Sequence, residues 1–460
     1  MLFYDTLLRS SSYKEAKQKY LDVLRSSVKE IREPKPSSSE LKSRYQTMLD
    51  EVKASRGREL FFPTIGSGAG NGPFIELCDG SVKYDLITGI GVNFFGHGNV
   101  DLFEAQIDGV WSTTMQGNLT PNKEYLDLMK ALLASVGSKS KLENVWLTSC
   151  GATANEIALK IIRQKKAPAS KVMAFKNCFA GRTTALQEIT DNPKYREGQP
   201  VYDEVFYLPF FDPHSAISAD DQAHLVIAEM RKEVERNVGR YCCLEFEIIQ
   251  GEGGFNFAPK AFLRPICEEA KKLGMAIWVD EIQTFGRTGE VFAFQKIEID
   301  DLVDVVTVAK LLQTGAVLWT KEYNPKPGLV SGTFAGSTAS LRAGKYGLDL
   351  LQKKLTGPNG RISDLEKQTN KYFQKIKEGP AGVHLKDFTV VGGMIAFTLF
   401  DGSLEKTKKF LSQWFQNGVI AFFCGHGPYR VRMLPPFAVI TDEQWKDVFE
   451  RLEKTIIEVA

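Results

Sequence analysis

The sequence predicts an α/β protein with a large, mostly parallel sheet flanked by helices, together with a smaller α+β unit. Two observations predict it. Between about residues 140 and 310, short apolar runs end in polar groups and are each followed by a helical stretch. After about residue 340 this alternation gives way to helices mixed with short strands such as 388–400. A chain of 460 residues is long enough to bury a large core and to form two domains.

Taken in order, residues 1–58 are polar and helical in pieces, interrupted at Pro34-Lys35-Pro36-Ser37-Ser38-Ser39 by a turn or short linker. They read as a solvated extension; the alternative is a partner-binding arm. Residues 59–100 are expected to contribute to the smaller domain. Within them, Gly66-Ser67-Gly68-Ala69-Gly70-Asn71-Gly72 lacks the Lys-Ser/Thr of a phosphate loop and precedes a strand-like Pro73-Phe74-Ile75-Glu76-Leu77, so a flexible turn is expected. Residues 101–340 form the expected large domain. Its strand-like runs are 144–148, 171–175, 203–208, 241–249, 275–279 and 303–309. Residues 341–460 complete the smaller domain. In open α/β sheets, ligands bind beyond the carboxyl ends of the strands. Gly151, Phe179, Glu247, Asp280 and Lys310 occupy those ends and are expected along one edge.

Composition excludes several classes. Lys plus Arg is 58 against 56 Asp plus Glu, a net charge of +2, which gives no basis for nucleic acid or an anionic membrane as the main partner. No apolar stretch approaches the roughly 18 residues that span a bilayer, and Met1-Leu2-Phe3-Tyr4-Asp5 does not open a signal peptide. Seven Cys without CxxC spacing read as reduced thiols, which with the rest implies a cytoplasmic protein. The five His include no HxxxH pair, so no metal site is expected. Demanding chemistry must come from carboxylates, Lys or an organic cofactor.

Five groups are candidates for it. Lys310 closes the run Val305-Val306-Thr307-Val308-Ala309, where loss of hydration favours the neutral amine, able to condense with an aldehyde. Asp280 ends Ala276-Ile277-Trp278-Val279 and can pair with a protonated pyridine nitrogen, with Gln283 three residues on. Ser149-Cys150-Gly151-Ala152 opens a helix whose free amides and dipole suit a phosphate. Phe179 can stack on a flat ring, with Arg182 nearby for a carboxylate. Arg432, beside Pro435 and Pro436, is a candidate carboxylate clamp. Each has an ordinary structural alternative: a snorkelling Lys, a capping Asp, a plain helix start, a core Phe, surface ion pairs.

Their order and spacing together resemble the class III (omega) aminotransferases of pyridoxal 5′-phosphate fold type I, the group holding acetylornithine, ornithine, 4-aminobutyrate and lysine 6-aminotransferases. The similarity runs from about residue 60 to the end. It is carried best by Glu247-Ile248-Ile249-Gln250-Gly251-Glu252-Gly253-Gly254, Asp280-Glu281-Ile282-Gln283, Gly286-Arg287-Thr288-Gly289 and Lys310. The resemblance implies a seven-stranded sheet, the cofactor pyridoxal 5′-phosphate and a homodimer with shared active sites. It implies that Lys310 holds the cofactor covalently, Asp280 pairs with its ring nitrogen and Gln283 lies near its phenolic oxygen. Phe179 would stack on the ring, Cys150, Gly151 and Ala152 would meet the phosphate, and Thr333 would reach the phosphate in the neighbouring subunit. Arg432 would bind the α-carboxylate of 2-oxoglutarate, Glu247 would mask it when a terminal amine is the donor, and Arg182 would hold a distal carboxylate.

The sequence departs from the family pattern at Ala180 for His, Ile248 for Pro, Val100 for Pro, Cys150 for Ser, and in a shortened Thr284-Phe285-Gly286-Arg287 segment. Leu311-Leu312-Gln313-Thr314-Gly315 replaces a glycine-rich stretch, and Ile90 stands where ornithine-specific members tend to carry Tyr. These changes bear on the substrate pocket and phosphate contacts more than on the amine and its acid. An aminomutase or epimerase on the same fold, or a non-catalytic descendant, are the competing readings.

Overall fold

The computed structural model describes residues 2–60, 62–117 and 119–460. Its central sheet has seven strands: β1 (Leu142–Thr148), β2 (Lys171–Phe175), β3 (Val205–Leu208), β4 (Tyr241–Phe246), β5 (Ala276–Asp280), β6 (Val305–Val308) and β7 (Gly315–Thr320). They lie in the order β1-β7-β6-β5-β4-β2-β3. All neighbouring pairs from β6 to β3 are parallel. β7 runs antiparallel to both β6 and β1.

Six strands fall on the apolar runs expected from the sequence. The seventh, β7, was outside them. Only residues 309–314 separate β6 from β7, too few for the dozen or so that a parallel crossover requires. The chain must therefore reverse at once, and it does so through a single turn at Lys310–Leu312.

The sheet is buried on both faces. Helix Gly151–Lys166 lays Ile157, Ala158, Ile161 and Ile162 against Val172, Ala276, Trp278, Val305 and Val317. Their i, i+3, i+4 spacing makes one apolar stripe. Arg163, Lys165 and Lys166 complement its carboxyl end, and Pro168 follows two residues after the last turn. The opposite face meets Leu128 and Leu132 of helix Lys123–Ser135 and Phe262, Ile266 and Ala270 of helix Lys260–Lys272.

Outside this layer, Leu385–Val391, Met394–Leu399, Arg430–Met433 and Phe422–Cys424 form a four-stranded antiparallel sheet. Helices Arg361–Glu378, Leu404–Gln416 and Asp442–Val459 accompany it. Val419–Ile420 pairs in parallel with Val82–Asp85, so residues before the large sheet share a sheet with residues near the C-terminus.

The glycine-rich stretch corrects one expectation. Gly66–Asn71 is a strand, not a flexible turn, paired with Phe74–Leu77. Gly70 is required there: a Cβ would lie 2.4 Å from His97 Cβ and 2.5 Å from Phe74 O. The reversal itself occurs at Gly72, with φ +56°. Ahead of it, helices Phe3–Arg9, Ser11–Val28 and Lys42–Arg56 are held down rather than free. Tyr13 donates to Asp108 Oδ1 at 2.7 Å, Leu21 is buried, and Lys35 exchanges two backbone hydrogen bonds with Val82. No helix among the described residues is long and apolar enough to cross a membrane.

Candidate active site

The carboxyl ends of β1, β2, β4, β5 and β6 surround a cavity of about 500 Å³. Its lining includes Cys150, Gly151, Ala152, Phe179, Arg182, Glu247, Asp280, Gln283 and Lys310. The expected site residues thus converge, with two exceptions. Thr333 is exposed in the segment before Gly336–Ser337, away from this lining. Arg432 is fully buried on the neighbouring antiparallel sheet, close enough for its charge to act on Lys310.

Lys310 stands two residues after the end of β6, half-buried at the cavity wall. Burial, with Arg432 and Arg287 adding positive charge nearby, pushes its amine down to about 8. Its backbone has φ +52°, a left-handed conformation that costs an L side chain on the order of 1–2 kcal/mol. The turn absorbs this: Gln313 N donates to Lys310 O at 2.9 Å, and Gln313 Nε2 donates to Val92 O at 2.9 Å. Strain of this kind, at the end of a central strand, fixes where the amine emerges.

Asp280 is buried at the end of β5. Burial pushes its carboxyl up to about 6, against the pull of the Ile282 amide, Asn155 and the Lys310 amine. Oδ1 accepts from Ile282 N at 2.8 Å and Oδ2 from Asn155 Nδ2 at 2.6 Å. A bound cation at this carboxylate would relieve the burial. Asn155 also donates to Ala180 O at 2.7 Å, tying β5 to the loop after β2. Sequence reading missed Asn155 as a positioning residue. The available signal was a polar residue on the buried face of an otherwise apolar helix.

The start of helix Gly151–Lys166 presents the anion cradle. Cys150 is its extended N-cap, and Thr153 Oγ1 accepts from Cys150 N at 3.2 Å. The amides of the first turn lack helical acceptors and face the cavity side of the sheet. Burial tends to raise the exposed-edge Cys150 thiol, but hydrogen bonds from Thr153, the Ala152 amide and Ser149 outweigh it and hold the thiol below its ordinary value. Gly151 has no room for a side chain: a Cβ would stand 2.9 Å from Ile282 Cγ2. Gly151→Ala is expected to displace the cradle and weaken cofactor retention about tenfold. Cofactor dissociation on dilution measures it.

Glu247 corrects the sequence reading. It was expected to mask Arg432. Instead Oε1 accepts from Phe179 N at 3.0 Å and Oε2 from Gly251 N at 2.9 Å. Burial and the Asp280 charge push it up to about 8. The acid on Arg432 is Glu252, with Oε1 2.8 Å from Nη1, which also donates to Gly251 O at 3.1 Å. The turn after Gln250 explains the exchange: Glu247 faces back toward β2 while Glu252, five residues on, faces Arg432. Phe422 and Phe255 flank the guanidinium at 5.3 and 6.0 Å.

Several buried polar atoms have no partner within the protein: Gln283 Oε1, Asn155 Oδ1, and Arg432 Nε and Nη2. Gln283 and Asn155 line the cavity. Orphaned buried groups of this kind mark a place where a polar ligand belongs. An amine able to be neutral, an acid that favours a cation, an aromatic ring and a helix start together would suit a phosphorylated aldehyde cofactor with a basic ring.

The comparisons with known proteins agree. The model of the aminotransferase class-III family matches residues 58–456. A putative [LysW]-aminoadipate semialdehyde/glutamate semialdehyde transaminase of Pyrobaculum aerophilum is 30% identical over 371 residues, covering 78% of this chain and 87% of that protein. A 2-aminoadipate transaminase of Pseudomonas putida is 30% identical over 392 residues, 81% and 92% of the two chains. An acetylornithine aminotransferase of Bacillus anthracis is 28% identical over 422 residues, 89% and 98%. Among solved structures, a lysine aminotransferase from M. tuberculosis superposes with a TM-score of 0.79 at 18% identity, covering 90% of this chain and all of that one, a likeness of fold. The chain belongs to the class III aminotransferases, pyridoxal-phosphate enzymes that move an amino group from a donor to a keto acid.

Proposed function

We propose that the chain moves the terminal amino group of an ω-amino acid or similar amine, of the N-acetylornithine, 4-aminobutyrate or lysine type, to 2-oxoglutarate. The observation that carries this reading is the placement of two arginines about Lys310, one of them already paired: Arg182 at the open edge of the cavity, and Arg432 closed by Glu252. Two such groups suit the two carboxylates of the acceptor.

Pyridoxal 5′-phosphate, when bound, supplies an electrophilic carbonyl and an electron-accepting ring. Lys310 would hold it through Nζ, Asp280 would pair with its ring nitrogen, and Gln283 would lie near its phenolic oxygen. Phe179 would cover one ring face, and Cys150, Gly151 and Ala152 would meet the phosphate. Once the donor amine has replaced it on the cofactor, the freed Lys310 Nζ would take the proton from the amine-bearing carbon of the donor and later return it. Asp280, fixed by Asn155 and the Ile282 amide, would keep a proton at the ring nitrogen throughout. A donor reacting at its far end brings no carboxylate to Arg432, so Glu252 stays on it. The α-carboxylate of 2-oxoglutarate displaces Glu252, and Arg182 takes the distal one. Thr333, exposed and outside this cavity, serves the phosphate of a second copy in a homodimer with shared sites. Seven free cysteines support a reducing, cytoplasmic setting.

A half-reaction screen tests the reading. Mixing the cofactor-loaded protein with candidate amines and following the loss of its visible absorbance identifies the donor. Recovery with 2-oxoglutarate but not with a monocarboxylic keto acid supports the acceptor, and turnover without any keto acid refutes transamination in favour of a mutase. Glu252→Gln is expected to raise the rate with α-amino donors relative to terminal ones about tenfold, because Arg432 is then open to a carboxylate in both half-reactions. The ratio of kcat/KM for the two donor types measures it.

A further inference from the structure

Arg182 leads to a residue that neither motif nor family resemblance singles out. Its guanidinium Cζ lies 3.8 Å from the centroid of the Tyr195 ring and 5.9 Å from that of Phe179. No acid among the described residues lies within ion-pair distance of it, and the side chain is exposed at the cavity edge. A guanidinium carbon seated over an aromatic ring is backed on one side while its N–H groups stay available for a forked contact with a carboxylate. A flexible side chain with no such backing must first be ordered by the ligand, at the ligand's expense in affinity.

The Tyr195 ring is itself held in place. It sits on the one-turn segment Pro193–Arg196, where Asn192 Oδ1 accepts from Lys194 N at 3.2 Å and Tyr195 N donates to Asn192 O at 2.9 Å. Arg196 Nη1 pins that turn to Thr190 O at 2.9 Å and to Gln187 O at 3.1 Å. Thr190 closes the loop from the other side, its Oγ1 accepting from Gly181 N at 3.1 Å and lying 2.8 Å from Gly181 O. Arg182 and Tyr195 therefore stand at two ends of one loop that is stitched across its waist. The same ring meets Phe179 edge-on, with centroids 6.4 Å apart, which joins the arginine to the aromatic wall of the cavity.

We infer that Tyr195 is a positioning residue for acceptor specificity: its ring pre-orients the Arg182 guanidinium so that five-carbon dicarboxylates are selected over monocarboxylates. This rests on the reading of Arg182 as the holder of the distal carboxylate.

The test uses the cofactor-loaded full-length protein and two unreactive probes, glutarate and butyrate, whose dissociation constants are read by spectral titration. With Tyr195→Ala, the glutarate constant is expected to rise about tenfold, the size of one cation–π contact, while butyrate changes by less than about twofold. With Tyr195→Phe, which keeps the ring, glutarate should stay within about twofold of the parent. In turnover, Tyr195→Ala should raise KM for 2-oxoglutarate and leave KM unchanged for an amine donor that carries no carboxylate. An equal loss for both probes would mean that the loop has merely collapsed, and would overturn the inference. Arg182→Ala separates it from the reading beneath. If that variant weakens glutarate and Tyr195→Ala does not, only the role of Tyr195 falls. If neither weakens it, the carboxylate site at Arg182 falls as well.

Discussion

Replacement of Lys310 by alanine is expected to lower turnover by about ten-thousandfold and to abolish covalent retention of the cofactor. Both effects have one source. The amine is the group at the cavity wall whose burial brings it down to about 8, so a useful share is neutral near physiological pH. Without it, the carboxyl groups lining the cavity among the described residues are already engaged: Glu247 by two amides, and Asp280 by Asn155 and Ile282. The direction of the shift gives a further expectation. The amine is charged below about 8 and neutral above it, so covalent capture of added cofactor by the stripped protein should accelerate as pH rises through that value. Borohydride trapping followed by mass analysis locates the modified residue. A coloured, active Lys310→Ala protein would sink the assignment.

Asp280→Asn should reduce kcat about a thousandfold while leaving the cofactor bound and coloured. The replacement is nearly isosteric and can still accept from the Ile282 amide. It removes the negative charge and turns one amide toward another at Asn155, which already donates there at 2.6 Å. The loss should therefore appear in kcat with little change in donor KM, because in the proposed role the group would hold a ring proton and touch no substrate. Near-normal turnover would show that the acid only caps the loop after β5.

Much of the architecture was legible because its physics is local. Each parallel strand is buried on both faces, so β2, β5 and β6 read as unbroken apolar runs, and topology alone then brings Gly151, Phe179, Glu247, Asp280 and Lys310 to one edge. The reversal into β7 was less legible, since Gly315 gives no strand signal. Gly66–Asn71 was hidden for the opposite reason: its glycines answer to His97 and Phe74, contacts that no window of sequence contains. The exchange of Glu247 for Glu252 turned on a backbone bend, not on residue type. Tyr195 was invisible because its partner is thirteen residues away and the contact depends on the loop pinned through Thr190 and Arg196.

The tight return from β6 to β7 has a mechanical meaning. Lys310 leads into a turn whose two arms are interior strands of the sheet, and Thr314 Oγ1 lies 2.8 Å from Thr148 O and 2.9 Å from Ala335 O, locking the far arm. Its α-carbon is consequently clamped like a post set in masonry. Whatever travel the amine makes between successive bonding partners has to come from rotation about its four methylenes, with no help from a swinging loop.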